Sequence, residues 1–394
     1  MSGRLPNVAT AIRSLLSAKR APFLAMGVVL AFIGLAGPAE AKLRFGLHVG
    51  PQERNADQWT RMAVGQVALV RRDFAYTSNV AQYDEFMRDT SSAGLKVLPV
   101  VLGSPDGAVA PPRSKSDLDA YKSFTKRLVE RYGRNGTFWS QNPALPYRPI
   151  TAWQIWNEPS LDTFWDNDPN PREYADLVEV ADDAIKSRDE DADSVLAGMP
   201  YDTSRGMPLE KFIAKFYDVG GIKKHFDAVA VHPYGRDEDD VEFILDRLRS
   251  RMKDAGDGGR DVWITEAGWG TDGPSGSPFV VGRKGQRRLL EKSFNLFEEE
   301  RKRYNLDTVL WYNWQDIGTA QSGGPFHHYS GLFDHAGDAK PAWSKFTDFT
   351  GGSPGAGRLS DASAAKASPA TDPLAITAEP QAVLPPEAEL TPGD

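Results

Sequence analysis

Two glutamates stand out by their neighbours. Glu158 lies in Trp156-Asn157-Glu158-Pro159 and Glu266 in Thr265-Glu266-Ala267-Gly268-Trp269, and each follows a run of apolar and β-branched residues. A facing pair of carboxyl groups suits cleavage of a glycosidic bond. One carboxyl protonates the leaving oxygen while the other attacks, or orients water, from the opposite face of the sugar. That chemistry needs no metal and no cofactor, and the sequence calls for neither. Three further segments end apolar runs in polar or aromatic residues: Val70-Arg71-Arg72-Asp73-Phe74, His232-Pro233-Tyr234 and Trp311-Tyr312-Asn313-Trp314-Gln315-Asp316. Tyr234 is expected to donate a hydrogen bond to the Glu266 carboxylate and Arg71 to add positive charge, both keeping it ionised. Glu158, beside Trp156, is then the carboxyl expected to be held protonated, so that different surroundings give the two glutamates different roles. The flat indole of Trp311 suits the apolar face of a pyranose.

These residues must be positioned by the elements that end in them. Strand candidates cover Leu43 to Val49, Val67 to Phe74, Lys96 to Leu102, Ile150 to Trp156, Ser194 to Met199, Phe226 to His232, Asp261 to Thr265 and Thr308 to Trp314. Between them lie amphipathic stretches with apolar residues at helical spacing, such as Ser116 to Tyr132, Pro171 to Arg188, Val241 to Met252 and Gly285 to Tyr304. Eight βα units over roughly 300 residues fit a single (β/α)8 TIM barrel better than a doubly wound sheet. In such a barrel the catalytic groups belong at the C-terminal ends of the strands, where all the segments above fall. Glu158 and Glu266 are 108 positions apart, three βα units, which puts them on opposite sides of one barrel mouth.

Asn157-Glu158-Pro159 after the fourth strand and Thr265-Glu266 after the seventh resemble the signatures of glycoside hydrolase clan A, whose members are retaining enzymes on TIM barrels. The resemblance runs from about Leu43 to Phe349. Within the clan, Pro111-Pro112 through Arg131-Tyr132-Gly133, with Phe164-Trp165, looks most like glycoside hydrolase family 39, and family 5 comes second. The resemblance implies Glu158 as acid/base, Glu266 as nucleophile and Asn157 as the residue bonding the sugar 2-hydroxyl. It makes Arg71, His232, Tyr234 and Trp311 the supporting, substrate-binding shell.

Each supporting residue also has a structural reading. Arg71 and Tyr234 could serve an ion pair or the core, and His232 follows the core-like Val229 and Val231. Trp311 and Trp314 do not alternate, so one of them is packing, and Trp311 is favoured as the sugar platform. His48 and Asp316 stand equally between site and loop-bonding roles, and Trp165 between lining a subsite and pinning its loop. His327-His328 lacks a third ligand at useful spacing and reads as a surface loop. Asp237-Glu238-Asp239-Asp240 charges a helix N-terminus, where negative side chains are favourable.

The two ends differ in composition. Residues 1–41 carry Arg4, Arg13, Lys19 and Arg20 ahead of a fourteen-residue apolar run, Phe23 to Ala36, and then Ala39-Glu40-Ala41. That is the order of a signal peptide cleaved before Lys42, and the run is shorter than the ~20 residues a membrane-spanning helix needs. The alternative is an uncleaved anchor. Residues 42–350 form the barrel domain. Gly351 to Asp394, with seven Pro, ten Ala and no aromatic residue, reads as a disordered tail. The chain has 46 Lys and Arg against 54 Asp and Glu, and removing the leader takes its net charge from −8 to −11. No basic block suits nucleic acid, and the lack of Cys excludes disulfides and zinc thiolates. The expectation is a secreted or periplasmic monomer, with no membrane span after processing, that hydrolyses a polysaccharide or oligosaccharide by double displacement. A catalytically silent glycan-binding barrel, or a barrel attached to a polysaccharide export apparatus, is the alternative.

Overall fold

The computed structural model of the chain describes residues 42–50, 55–107, 110–166, 168–201, 206–317 and 324–355. The expected leader and residues 356–394 of the expected tail lie outside them. Eight strands close a barrel in sequence order, and every neighbouring pair is parallel. They are β1 (Arg44–His48), β2 (Leu69–Ala75), β3 (Lys96–Leu102), β4 (Ala152–Ile155), β5 (Asp193–Leu196), β6 (Ala228–Val231), β7 (Asp261–Ala267) and β8 (Leu306–Trp311). The helices are α1 (Ala56–Val64), α2 (Asp84–Ser92), α3 (Lys115–Tyr132), α4 (Thr137–Gln141), α5 (Pro171–Lys186), α6 (Leu209–Tyr217), α7 (Glu238–Asp254), α8 (Gly282–Glu299), α9 (Arg301–Tyr304) and α10 (Pro341–Thr350). The chain is therefore a (β/α)8 TIM barrel, as the strand count predicts. Every strand expected from the sequence overlaps an observed one. The largest shifts are at β5, which stops three residues earlier, at Leu196, and at β8, which begins two residues earlier and stops three earlier, at Trp311.

Period-two alternation builds the barrel in layers. Leu69, Leu98, Ala152, Val195, Ala228, Ala230, Trp263 and Leu310 form one buried cluster, supplied by strands all round the barrel. This apolar plug occupies the N-terminal half of the interior. The residues between them in sequence, such as Val70, Trp153, Val229, Val262 and Val309, belong instead to the large core between strands and helices. Gly46 lets β1 approach its neighbours, because a Cβ there would lie 2.4 Å from the carbonyl oxygen of Leu69.

Local signals start the surrounding helices. Ser114 and Asp117 make a reciprocal capping box on α3, Asn170 caps α5 with Pro171 in its first turn, and Asp237 caps α7, whose first turn is acidic as expected. The chain past α10 stays packed for five more residues. The Ser353 amide donates to Val64 O at 3.0 Å, and Arg61 and Trp343 both donate to Pro354 O.

Candidate active site

Two residues beyond five of the eight plug residues, the inward position turns polar. Leu69 is followed by Arg71, Ala152 by Gln154, Ala230 by His232, Trp263 by Thr265 and Leu310 by Tyr312. The alternation that fills the lower barrel with hydrocarbon thus floors the mouth with a connected polar layer.

Arg71 is its hub. The buried guanidinium donates from Nε to Gln154 Oε1 at 2.7 Å, from Nη1 to Glu266 Oε1 at 2.6 Å and from Nη2 to Asn157 Oδ1 at 2.7 Å, with His48 Nδ1 3.1 Å from Nη1. Arg71 takes Oδ1 of Asn157, which leaves the amide nitrogen as the group Asn157 can offer a ligand. The Tyr234 hydroxyl donates to Glu266 Oε2 at 2.7 Å, so both oxygens of Glu266 are held. Burial pushes the Glu266 carboxyl above its ordinary value, while the Arg71 charge and the Tyr234 hydrogen bond pull it back. The sequence argument foresaw the two donors but not this burial. Burial, reinforced by the Glu266 charge, also holds the Tyr234 hydroxyl far above the usual phenol range, so it remains a donor.

Glu158 is held from the other side. His232 Nδ1 lies 2.7 Å from Glu158 Oε1, and His232 Nε2 lies 3.0 Å from Thr265 Oγ1. Burial, and then the charges of Arg71 and His48, push His232 well below its ordinary value, so the imidazole is neutral and carries one N–H. Gln154 Nε2 already donates to Thr265 Oγ1 at 3.1 Å. The hydrogen count closes when the Thr265 hydroxyl donates to Nε2 and Nδ1–H donates to Glu158. Gly198 makes room for this contact, since a Cβ there would lie 2.0 Å from His232 Nε2 and 2.6 Å from Thr265 Oγ1.

Two departures from regular strand geometry aim the glutamates. The register between β7 and β8 shifts between Ile264 and Ala267, so the consecutive Thr265 and Glu266 both turn inward. After β4, Trp156 (φ 72°) and Glu158 (φ 41°) take left-handed backbone conformations. Trp156 turns into the outer core, donating from Nε1 to Phe164 O, and Asn157 and Glu158 turn into the mouth. Such conformations cost roughly 1–3 kcal/mol each in non-glycine residues. The Glu158 amide hydrogen bond to Gly198 O, at 3.1 Å, helps to hold the turn.

Six of the seven residues expected in the site meet there: Glu158, Glu266, Arg71, Asn157, His232 and Tyr234. Trp311 does not. It shares the outward parity of Val309, is fully buried, packs on Trp269 and on Phe294 of α8, and donates from Nε1 to Ser330 O. No face of its indole is left for a sugar. Trp314 is also core, packed on Phe333 and Trp343. The inward aromatic of this segment is Tyr312, half-buried and stacked on His48 with ring centroids 4.7 Å apart. Gln154, Thr265, Gly198 and Tyr312 are the members that sequence reasoning did not assign, although the position two past each inward apolar residue marks three of them.

The remaining candidates resolve as structural. Trp165 is buried between Trp156 and Tyr174 and donates to Glu173, pinning its loop. Asp316 pairs at 2.6 Å with the buried Lys340, whose ammonium also donates to Thr271 Oγ1 and Tyr329 O. His327 is buried in the loop after β8, where burial lowers its pKa to about 3.

Ligand atoms of Glu158, His232 and Glu266 lie within 4.8 Å of one another, the one such cluster among the described residues. As a metal site it fits poorly. Both Glu266 oxygens accept from Arg71 and Tyr234, His232 Nδ1 is engaged with Glu158, and the guanidinium already supplies the positive charge.

No protein-family profile matches the sequence, and no curated protein sequence does either. Solved structures do match the fold. A glucosidase from Croceicoccus marinus superposes with a TM-score of 0.59 at 15% identity, over 80% of this chain and 69% of that one. A β-xylosidase from Caulobacter crescentus gives 0.54 at 15% identity, over 77% and 67%. An exo-β-1,4-mannosidase from an Opitutaceae bacterium gives 0.53 at 14% identity, over 78% of this chain and 59% of that one. The architecture is thus one found in enzymes named for cleaving glycosides.

Proposed function

We propose that the chain is a retaining β-glycoside hydrolase of clan A, most like family 39, which acts on a polysaccharide or oligosaccharide with Glu266 as nucleophile and Glu158 as acid/base. The observation that carries this reading is the close approach of the two carboxyl groups, one oxygen of Glu158 lying within 4.8 Å of one oxygen of Glu266. Retaining enzymes keep their pair about 5–5.5 Å apart, whereas inverting enzymes need about 6.5–9.5 Å to admit a water. The names of the structural neighbours, glucosidase, xylosidase and mannosidase, agree with it.

The environments divide the work. Glu266, anchored by Arg71 and Tyr234, attacks the anomeric carbon, and the bond to the leaving oxygen breaks as Glu158 protonates that oxygen. Glu158 Oε1 is held by His232, so the transferred proton is carried by Oε2. Water then attacks the glycosyl-enzyme, Glu158 takes a proton from it, and Glu266 is released as carboxylate. Arg71 and Tyr234 hold the leaving carboxylate in place throughout, and the Asn157 amide reaches the adjacent sugar hydroxyl.

Azide rescue tests the roles. In Glu158→Ala an activated aryl glycoside still glycosylates Glu266, but deglycosylation slows by ~10²–10⁴-fold for want of a base. Azide needs no base and should restore turnover, giving a glycosyl azide of retained configuration. In Glu266→Ala azide can enter only from the vacated nucleophile side, and its product should be inverted. Proton NMR showing the opposite pairing would reverse the assignment, and no hydrolysis of any aryl glycoside by the unaltered chain would end it.

We also infer that residues 1–41 direct export and are removed, so that protein recovered from the periplasm or medium begins at Lys42. Intact Met1 on sequencing that fraction would refute this. Among the described residues no helix is long and apolar enough to cross a membrane.

A further inference from the structure

Hydrogen bonds cross the polar layer head to tail, from the guanidinium to the acid/base. Arg71 donates from Nε to Gln154 Oε1 at 2.7 Å, and Gln154 donates from Nε2 to Thr265 Oγ1 at 3.1 Å. Thr265 Oγ1 lies 3.0 Å from His232 Nε2, and His232 Nδ1 lies 2.7 Å from Glu158 Oε1. All of these side chains are buried, with at most 1% of any of them exposed. Gln154 sets the direction. A guanidinium has only hydrogens to give, so the Gln154 atom it meets is the oxygen. The Leu196 carbonyl on β5 has only lone pairs and lies 3.2 Å from the other atom, which is therefore the nitrogen. The amide thus turns N–H, not oxygen, towards Thr265. Among the described residues Thr265 Oγ1 has hydrogen-bonding neighbours only in Gln154 and His232, so its one hydrogen goes to His232 Nε2. The neutral imidazole then keeps its own hydrogen on Nδ1, facing Glu158.

We propose that Gln154 is a positioning residue: by denying Thr265 any acceptor but His232, it fixes the Nδ1–H tautomer of His232 and keeps the catalytic proton of Glu158 off Oε1. The proposal rests on the hydrolase reading above and concerns its acid step. While Glu158 is a carboxylate, its own charge holds the Nδ1 hydrogen. Once Glu158 is protonated, a second arrangement with the same number of hydrogens competes. In it the carboxyl donates from Oε1 to Nδ1, and the imidazole hydrogen sits on Nε2 and is given to Thr265 Oγ1. The proton then faces His232 rather than the leaving oxygen, and Glu158 is a poorer acid. That arrangement strands the hydrogen of the Thr265 hydroxyl in a buried site, because the Gln154 atom beside it is a donor. Other charges also face the pair. A Glu266 oxygen lies within 4.8 Å of a Glu158 oxygen, Glu266 Oε2 lies 3.7 Å from His232 Nδ1, Tyr234 feels the Glu158 charge, and Arg71 and His48 act on His232. These groups are the same in every protein compared below.

The test reads the tautomer directly. Long-range proton–nitrogen spectra of the full chain labelled with ¹⁵N-histidine, with His232 assigned by its loss in His232→Asn, are recorded across the pH range in which Glu158 titrates. The expected result is Nδ1–H throughout. An Nε2–H form that appears in the unaltered chain as Glu158 takes up its proton overturns the proposal, and this measurement needs no folded variant at position 154. Gln154→Glu then supplies what Gln154 withholds, since a carboxyl oxygen beside Thr265 accepts the hydroxyl hydrogen. Below the alkaline limb of kcat/KM, His232 should convert largely to Nε2–H. A tenfold preference for the misdirected proton would lower the plateau of kcat/KM on a poorly activated aryl glycoside about tenfold and lift the alkaline limb by about one unit. The charge of the new side chain is measured separately, as the limb shift the same substitution gives on a Thr265→Val background, where no acceptor awaits an Nε2 hydrogen. Retention of Nδ1–H in Gln154→Glu, or a limb shift as large on the Thr265→Val background, overturns the proposal. Failure of the hydrolase reading shows separately, as absence of aryl release by the unaltered chain, and leaves the tautomer to be decided by the spectra.

Discussion

Tyr234→Phe removes one atom from the site and nothing from its shape. The lost hydroxyl is the donor to Glu266 Oε2 at 2.7 Å, and Arg71 remains on Oε1. A hydrogen bond to a charged group contributes roughly 1.5–3 kcal/mol, and one pKa unit corresponds to about 1.4 kcal/mol. The sign follows from which form is bonded. Tyr234 stabilises the carboxylate, so its loss favours the protonated acid and raises the Glu266 pKa further, by about one to two units. Glu266 must be ionised to attack, so the acidic limb of kcat/KM should move to higher pH by that amount. The alkaline limb, assigned to protonated Glu158, should stay within a few tenths of a unit, because Glu158 is held by His232. The assay is a pH profile of kcat/KM on an aryl β-glycoside for both proteins, read with their unfolding midpoints. An acidic limb that stays in place or moves to lower pH would refute the electrostatic reading of Glu266. Movement of the alkaline limb instead would exchange the roles of the two glutamates.

Gly198→Ala forces a methyl group against His232 and Thr265; overpacking of this kind costs about 1–3 kcal/mol. The displaced imidazole should cost more in kcat than in KM, whereas equal thermal and kinetic loss would mean that His232 positions nothing. Trp311→Ala should destabilise by about 3–5 kcal/mol as a buried aromatic and lower rates on all substrates alike. Selective loss of glycan binding would return Trp311 to the site. Lys340→Met strands the Asp316 carboxylate in the loop after β8, a loss of about 3–5 kcal/mol for a broken buried pair, or about 5–10 °C in the unfolding midpoint. A shift below 2 °C by differential scanning calorimetry would show that the pair is not structural.

Much of this barrel was legible because its strands are short, apolar and closed by polar residues. The eight β-branched runs mark the strands, and their polar ends mark the mouth, so Arg71, Asn157, Glu158, His232, Tyr234 and Glu266 could be gathered without coordinates. Element ends were less legible. β4 stops at Ile155 although Trp156 continues the apolar run, because Trp156 leaves the sheet in a left-handed turn and packs among Tyr121 and Trp165. The segment after β8 misled for a related reason. Trp311 and Tyr312 are adjacent aromatics of opposite facing, and the flat indole face together with the family resemblance favoured Trp311. Parity from Leu310, an inward plug residue, assigns the mouth to Tyr312.

The same alternation explains why the way the two carboxylates come to face inward needed coordinates. In an unbroken β7, Trp263 and Thr265 would face in, and Glu266 would face out among the helices, a buried charge far from Arg71. The register shift against β8 turns two consecutive residues inward, so Thr265 can orient His232 while Glu266 receives Arg71 and Tyr234. On β4, Gln154 faces in by regular parity, and the left-handed residues at Trp156 and Glu158 bring Asn157 and Glu158 into the mouth together. Each glutamate thus arrives beside an orienting neighbour, one pair per irregularity. Both departures cost backbone regularity, and both fall where the proposed chemistry requires two side chains from one strand end. Sites where local pattern and global fold disagree are where function is expected to concentrate. Here the disagreement has a geometric content: it brings oxygens of two carboxyl groups within 4.8 Å over a single guanidinium, an approach that regular period-two strands would not give.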